Sequence, residues 1–198
     1  MNFNNTYTFN NNIVELLPLT AINKNLLKEI ALQNPNITKY SPIIFNDETS
    51  IDNYLSDAFL NYNKAIRYPF IILDKINNKV VGTTSICNVS NKDKRLEIGF
   101  TLVGKTAQGT AINKNVKFLL LCFAFETLQF ERVELKTDER NLQSRKAILK
   151  LGATEEGTLR SHTLMYDGYR RNTVYYSILK DEWQQIKSTI FSDCYSNQ

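Results

Sequence analysis

Strict alternation marks the middle of the chain, where Leu96, Ile98, Phe100 and Leu102 are interleaved with Glu97, Gly99 and Thr101, the period of a β-strand. The alternation stops at a loop of small and polar residues, Gly104 to Ala111. A helical apolar face follows, carried by Ile112, Val116, Leu119, Leu120 and Phe123. A strand that ends in a small-residue loop and opens a helix leaves backbone N–H groups bare at a positive helix end. Such an end suits a phosphorylated ligand.

Elsewhere the pattern predicts elements of both kinds. Residues 1–12 read as a loose or edge-paired extension, and Asn11 to Leu17 as a first strand ended by Pro18. Thr20 is placed to cap a helix bearing Ile22, Leu26, Leu27, Ile30 and Ala31, which stops near Asn34-Pro35. A polar link, Asn36 to Asn46, leads to a second helix from about Asp47, with Ile51, Tyr54, Leu55, Ala58 and Phe59 on one face. Phe70 to Leu73 and Val80 to Val89 read as a hairpin around Asn77-Asn78, and a turn at Asn91 to Lys94 brings in the strand from Arg95. Sequential antiparallel pairing is the shortest connection.

After the central helix, Val133, Leu135 and Thr137 alternate as a further strand. Asn141 caps a helix with Leu142, Ala147, Ile148 and Leu151 that ends at Gly152. Strands at Ala153 to Leu159 and Val174 to Leu179 flank the Asp167-Gly168 turn, and Asp181 to Phe191 form a last amphipathic helix. The expectation is one α+β domain over residues 1–198, with a mixed, mostly antiparallel sheet and helices on both faces.

Composition narrows the function classes. The 198 residues are 42% hydrophobic and 22% charged, ordinary for a globular protein, and the formal charge of +4 is scattered, with no dense basic block for nucleic acid. The polar N-terminus is unlike a signal peptide, and no apolar run approaches the roughly 20 residues a bilayer needs. Cys87, Cys122 and Cys194 are odd in number and far apart, and His162 is the single histidine, so neither a disulfide framework nor a metal site is predicted. A reducing cytoplasm is the expected compartment.

An ordered set of short motifs carries a family resemblance. It consists of Glu97-Ile98-Gly99-Phe100, Gln108-Gly109-Thr110-Ala111-Ile112-Asn113, Val133 to Asp138, Asn141, Ser144-Arg145, Leu151-Gly152-Ala153, Glu156 to Arg160, Asp167-Gly168, Tyr176 to Leu179 and Glu182-Trp183. In this order and spacing the chain resembles the GNAT N-acetyltransferases, in the branch of the RimJ/RimL-type ribosomal-protein N-terminal acetyltransferases. The resemblance implies a sheet splayed around acetyl-CoA, with no metal, and an amine acceptor that is a protein N-terminus or a small molecule. It also leaves room for a homodimer.

By that resemblance the pyrophosphate rests on the N–H groups of Gln108, Gly109, Thr110, Ala111, Ile112 and Asn113, and Asn141 holds the pantetheine arm. Leu102 and Val103 supply backbone N–H groups for the oxyanion, at a bulge. The family loop usually carries a long polar residue where this chain has Thr106, and an acidic residue where it has Lys114-Asn115.

Acetyl transfer needs a neutral amine. A lysine with pKa about 10.4 is almost wholly charged at neutral pH, whereas an α-amine near 8 needs little help. Glu97, on the strand face opposite Leu96 and Ile98, is the candidate base, and Ser144 the candidate acid for the leaving thiolate. Plainer readings stand beside these. Glu97 would pair with a neighbouring base, Gly109 would make a turn, and Asn141 would be an N-cap. His162 would be structural, and Tyr166, Tyr169, Tyr175 and Tyr176 would pack the sheet. An antibiotic- or polyamine-type acetyltransferase, and a CoA-binding domain without transfer, are the alternatives.

Overall fold

Alternating strands gather into one eight-stranded sheet in the computed structural model, which describes residues 1–34, 36–44 and 47–195. The strands are β1 (Phe9–Asn10), β2 (Val14–Pro18), β3 (Arg67–Asp74), β4 (Lys79–Ser90), β5 (Arg95–Val103), β6 (Arg132–Asp138), β7 (Thr154–Leu164) and β8 (Arg170–Leu179). The helices are α1 (Asn25–Gln33), α2 (Glu48–Asn63), α3 (Ile112–Cys122), α4 (Leu142–Leu149), α5 (Lys180–Thr189) and α6 (Ser192–Tyr195). The sheet order is β1-β2-β3-β4-β5-β6-β8-β7, and every neighbouring pair is antiparallel except β5–β6. This is the expected mixed, mostly antiparallel architecture.

Period-2 alternation divides the core between the two faces of the sheet. On β3, Phe70 and Ile72 join a large cluster with α3 residues Val116 and Leu120 and with Trp183 of α5. Ile71, pointing the other way, joins Leu27, Ile51 and Leu55 of α1 and α2. Each such aliphatic or aromatic side chain, fully buried, contributes about 1.5–3 kcal/mol. Between Tyr68 and Leu73 the strand is apolar because both its faces are covered.

Several boundaries differ from the sequence expectation. Of the two readings of the first twelve residues, the edge-paired one holds and the loose one does not: β1 pairs with β2, the Tyr7 N–H donates to the Tyr68 hydroxyl at 3.1 Å, and Phe3 and Phe9 pack on the core. Helix α1 starts at Asn25 instead of Thr20, and Ile22 is exposed. There the Asn23 side chain accepts from the Thr20 N–H at 2.8 Å and donates to the Pro18 carbonyl at 2.9 Å, a local turn that competes with helix. Pro35 and Asn46, expected at the ends of the link, lie outside the described residues. Strands β7 and β8 extend further toward their turn than the sequence pattern indicated.

One connection creates the functional geometry. Strands β5 and β6 are joined through α3 and pair in parallel over Arg95–Glu97 and Arg132–Glu134 alone. Beyond Glu97 they part, β5 staying with β4 and β6 with β8. The sheet is therefore split at the carboxyl ends of two parallel strands, where open sheets bind ligands.

Candidate active site

The split is a cleft of about 760 Å³. Its walls are the second half of β5, Leu135 to Thr137 of β6, the inner side of α4 and the loop before α3, and the α1–α2 link reaches it through Ile37, Tyr40 and Pro42.

The loop before α3 is shaped by its own side chains. Thr110 Oγ1 donates to the Ala107 carbonyl at 2.7 Å and accepts the Ile112 N–H at 3.3 Å, closing the turn that launches the helix. Gln108 Nε2 donates to the Val103 carbonyl at 2.9 Å, bracing the loop on β5. Gly109 has φ +77°, where L side chains are strained, and a Cβ there would meet nothing within 4 Å. Asn113 Oδ1 is buried with no hydrogen-bond partner among the described residues. An open helix start beside an unsatisfied amide oxygen fits a ligand carrying both phosphates and amide donors, as acetyl-CoA does.

Of the loop residues expected to hold that ligand, Gln108, Gly109 and Asn113 line the cleft, as do Leu102 and Val103. Thr110 is spent on the cap, Ala111 is exposed, and Ile112 is buried in the core. Lys114 and Asn115 have structural partners: Lys114 Nζ pairs with Asp193 at 2.6 Å, and Asn115 joins Asn11 Nδ2 at 2.7 Å to the Ala111 carbonyl at 2.9 Å. On the far wall, Asn141 Oδ1 accepts the Ser144 N–H at 3.0 Å, so the residue caps α4 while both side chains line the cleft.

Glu97 sits at the vertex of the split and is buried. Its Oε2 accepts from Lys136 Nζ at 2.9 Å and from Asn88 Nδ2 at 2.7 Å, whereas Oε1 lies against Gly99. Burial pulls the Lys136 ammonium down, but the Glu97 charge outweighs it and holds the group above its ordinary value. The neighbouring Cys87 thiol is pushed well up, first by burial and then by the same carboxylate, so it is inert.

The bulge lies two residues earlier than expected. Gly99 faces Ser85 and Leu102 faces Thr83, so Phe100 and Thr101 together oppose Thr84. Phe100 takes φ +50° and turns its ring over the Arg67 guanidinium at 3.9 Å. Thr101 Oγ1 is shared with Thr84 Oγ1 at 2.8 Å and Lys117 Nζ at 2.7 Å. The left-handed residue at 100, and not one at 102, is what shifts the register.

Sequence reasoning missed three cleft residues, Lys117, Lys136 and Arg171. Lys117 carried a signal, because it interrupts the apolar run Val116 to Leu121 of α3. It is 5% exposed, and burial lowers its pKa to about 7. Arg171 carried none, since its neighbour Tyr40 is remote in sequence. His162 stays outside the cleft, exposed, with Nδ1 3.1 Å from Thr173 Oγ1. Tyr176 is buried in the sheet core, while Tyr169 is half-exposed under the Arg140 guanidinium at 3.7 Å. Among the described residues, no group of three or more His, Cys, Asp or Glu side chains forms a metal site.

Comparison with known proteins agrees with this geometry. The acetyltransferase (GNAT) domain family matches residues 15–154. YdaF of Bacillus subtilis (strain 168), named as a candidate ribosomal N-acetyltransferase, is 32% identical over 111 residues, which are 56% of this chain and 60% of that protein. The chain thus matches less than two thirds of YdaF's length. A crystal structure of an acetyltransferase from T. thermophilus superposes with a TM-score of 0.85 at 30% identity, covering 95% of this chain and 97% of that one. RimJ of Mycobacterium smegmatis, in complex with CoA-disulfide, superposes with a TM-score of 0.74 at 22% identity, covering 89% and 88% of the two chains.

Proposed function

Because this chain belongs to the GNAT acetyltransferase family, we propose that it transfers the acetyl group of acetyl-CoA to a primary amine of a protein N-terminus or a small molecule. The observation that carries the reading is the split between β5 and β6 opening onto the Gly109 loop, a cleft with an unsatisfied amide oxygen at one end and a buried carboxylate at its vertex. The CoA bound by RimJ on a similar fold supports it.

The chain's own groups divide the work. The Gln108–Asn113 loop holds the phosphates through its backbone N–H groups other than those of Gln108 and Ile112, which are given to the Lys105 carbonyl and Thr110 Oγ1, and Asn141 and Ser144 line the path of the pantetheine arm. A backbone N–H at Leu102–Val103, just past the bulge, stabilises the charge that develops on the carbonyl oxygen. Glu97 Oε1, not engaged by Lys136 or Asn88, takes the amine proton directly or through water, and the Ser144 hydroxyl returns a proton to the thiolate. The whole of residues 1–198 acts as one acetyltransferase unit in the cytoplasm, as a monomer or homodimer.

Wild-type and Glu97→Gln proteins are assayed by free-thiol release over a panel of amines. Thiol release by the wild type, cut roughly 100-fold in Glu97→Gln, is the expected result. Acetyl-CoA bound without turnover on any amine overturns catalysis in favour of a CoA-binding domain, and no binding at all overturns the reading entirely.

A further inference from the structure

The two sides of the split differ in charge. Residues paired directly across a sheet share a face, and Arg67 pairs with Cys87, which pairs with Glu97. Arg67 is also bonded to the Tyr54 hydroxyl of α2, so this face looks toward α1 and α2 and away from α3 and its phosphate loop. It is the side left for the acceptor.

Two buried guanidiniums on that side, Arg171 and Arg67, have no carboxylate partner among the described residues, and the cleft as a whole carries an excess of cations. Among the described residues, five side chains lining the whole cleft are basic (Lys39, Lys105, Lys117, Lys136 and Arg171), and Glu97 alone is acidic. Glu97 is already paired with Lys136, and the buried Asp138 nearby is held by Arg140 at 2.7 Å. Arg171, 7% exposed, bonds Thr173 Oγ1 at 3.0 Å and the Tyr40 carbonyl at 3.4 Å, and makes no ion pair among the described residues. Burial pulls Arg171 below its ordinary value, and the Asp138 and Glu97 charges do not restore it. Among the described residues Arg67, 1% exposed behind Phe100 and Tyr54, makes no ion pair either, and its Nη1 has no hydrogen-bond partner. Two buried guanidiniums beside one cleft are costly unless an anion joins them. The phosphates of the donor belong at the Gln108–Asn113 end and leave this excess unanswered.

Resting on the acetyl-transfer reading above, we propose that the acceptor is an amine bearing a carboxylate close to it, and that Arg171 receives this carboxylate while the amine lies toward Glu97. Lys39 on the α1–α2 link adds attraction at the entrance, and Arg67 supports the field from behind Phe100. Polyamines and aminocyclitol antibiotics, as polycations, meet repulsion from the same charges. A peptide N-terminus with Asp or Glu among its first residues and a free amino acid share the required chemistry.

Calorimetry on the full chain saturated with CoA tests this, with pairs differing by one carboxylate. Ser-Asp-Ala amide against Ser-Asn-Ala amide probes the peptide source, and free aspartate and leucine against their amides probe the amino-acid source. At least about tenfold tighter binding of the carboxylate member in one set is expected, shrinking to under about threefold in Arg171→Gln. Which set shows it identifies the source. Binding equal within about twofold in both sets, or tighter binding of spermidine or kanamycin, overturns the proposal. If Arg171→Gln loses CoA affinity through misfolding, Lys39→Gln on the exposed link replaces it, with a smaller expected loss, and the wild-type pairs decide alone. A carboxylate preference without thiol release overturns the transfer reading and leaves the acceptor class standing.

Discussion

Glu97 and Lys136 meet at 2.9 Å across the vertex where β5 and β6 part, and Glu97 is the more deeply buried of the two. The last paired residues of the parallel strands are Glu97 and Glu134, so this ion pair sits where the backbone ladder ends and the cleft begins. Removing Lys136 leaves a buried carboxylate with Asn88 as its remaining partner. Lys136→Met is therefore expected to cost about 3 kcal/mol, and the Glu97→Gln/Lys136→Met double variant to recover most of it. Chemical denaturation of the four proteins measures the coupling. An additive cycle would show that the pair does not hold the vertex.

Lys117 makes stability depend on pH in an unusual direction. Burial lowers its pKa to about 7 in the folded chain, against an ordinary lysine value of 10.5. Below pH 7 the amine is charged in both states, and the folded chain bears the full cost of burying that charge. Between about pH 7 and 10.5 the unfolded chain binds the extra proton, so stability rises with pH, by several kcal/mol at most at about 1.4 kcal/mol per unit. In Lys117→Met this rise is expected to vanish, with a gain in stability near pH 6 partly offset by loss of the Thr101 hydrogen bond. Urea midpoints of both proteins from pH 6 to 10 check it, and parallel curves would refute it.

Two glycines separate binding from folding. A Cβ at Gly109 meets open space, so Gly109→Ala carries only the strain of φ +77°, about 1 kcal/mol, while intruding on the loop expected to take the phosphates. Gly82 of β4 faces Val103, and a Cβ there would lie 2.2 Å from the Leu102 carbonyl oxygen, a backbone atom that cannot move alone. Acetyl-CoA titration should show Gly109→Ala weakened about tenfold or more with a melting temperature within a few degrees of wild type. Gly82→Ala should melt far lower. Equal melting losses in the two variants would contradict this division.

The sheet and its helices were legible because alternation and helical spacing follow directly from burial: Phe70, Ile71 and Ile72 read as a strand and are covered on both faces. The turn around Gly109 that opens α3, where the phosphates are expected, was legible for the same local reason, since Gly109 and the run into α3 are contiguous. What was not legible depends on contacts between distant segments. The bulge at Phe100 needs Arg67 beneath its ring, and Arg171 enters the cleft only because β8 inserts beside β6 and the α1–α2 link folds over to it. The helix expected from Thr20 begins only at Asn25 because side-chain hydrogen bonds at Asn23 hold a turn before it, a balance too fine for periodicity to show.

Arg132 and Glu156 tie the outermost strand to the sheet interior and fix its response to acid. Strand β7 is exposed along most of its length and pairs with β8 alone, so few apolar contacts hold it. Across β8, Glu156 accepts both Arg132 guanidinium nitrogens Nη1 and Nη2, and Ser177 Oγ donates to it as well. These bonds, the Arg132 ones first, hold the Glu156 carboxyl down at about 2. A carboxylate depressed in the folded state adds stability that is complete above its unfolded value of about 4.5 and is lost as pH falls toward 2. Because the pair is partly exposed, water and salt screen it, and a contribution of at most about 1 kcal/mol is expected. The protection factors of the β7 amides, with the intrinsic pH dependence of exchange divided out, should therefore fall between pH 4.5 and 2 more than those in β3. In Glu156→Gln the β7 amides should exchange faster at neutral pH and lose that extra acid sensitivity. Unchanged β7 protection in the variant would show that the β8 ladder holds the strand without this tie.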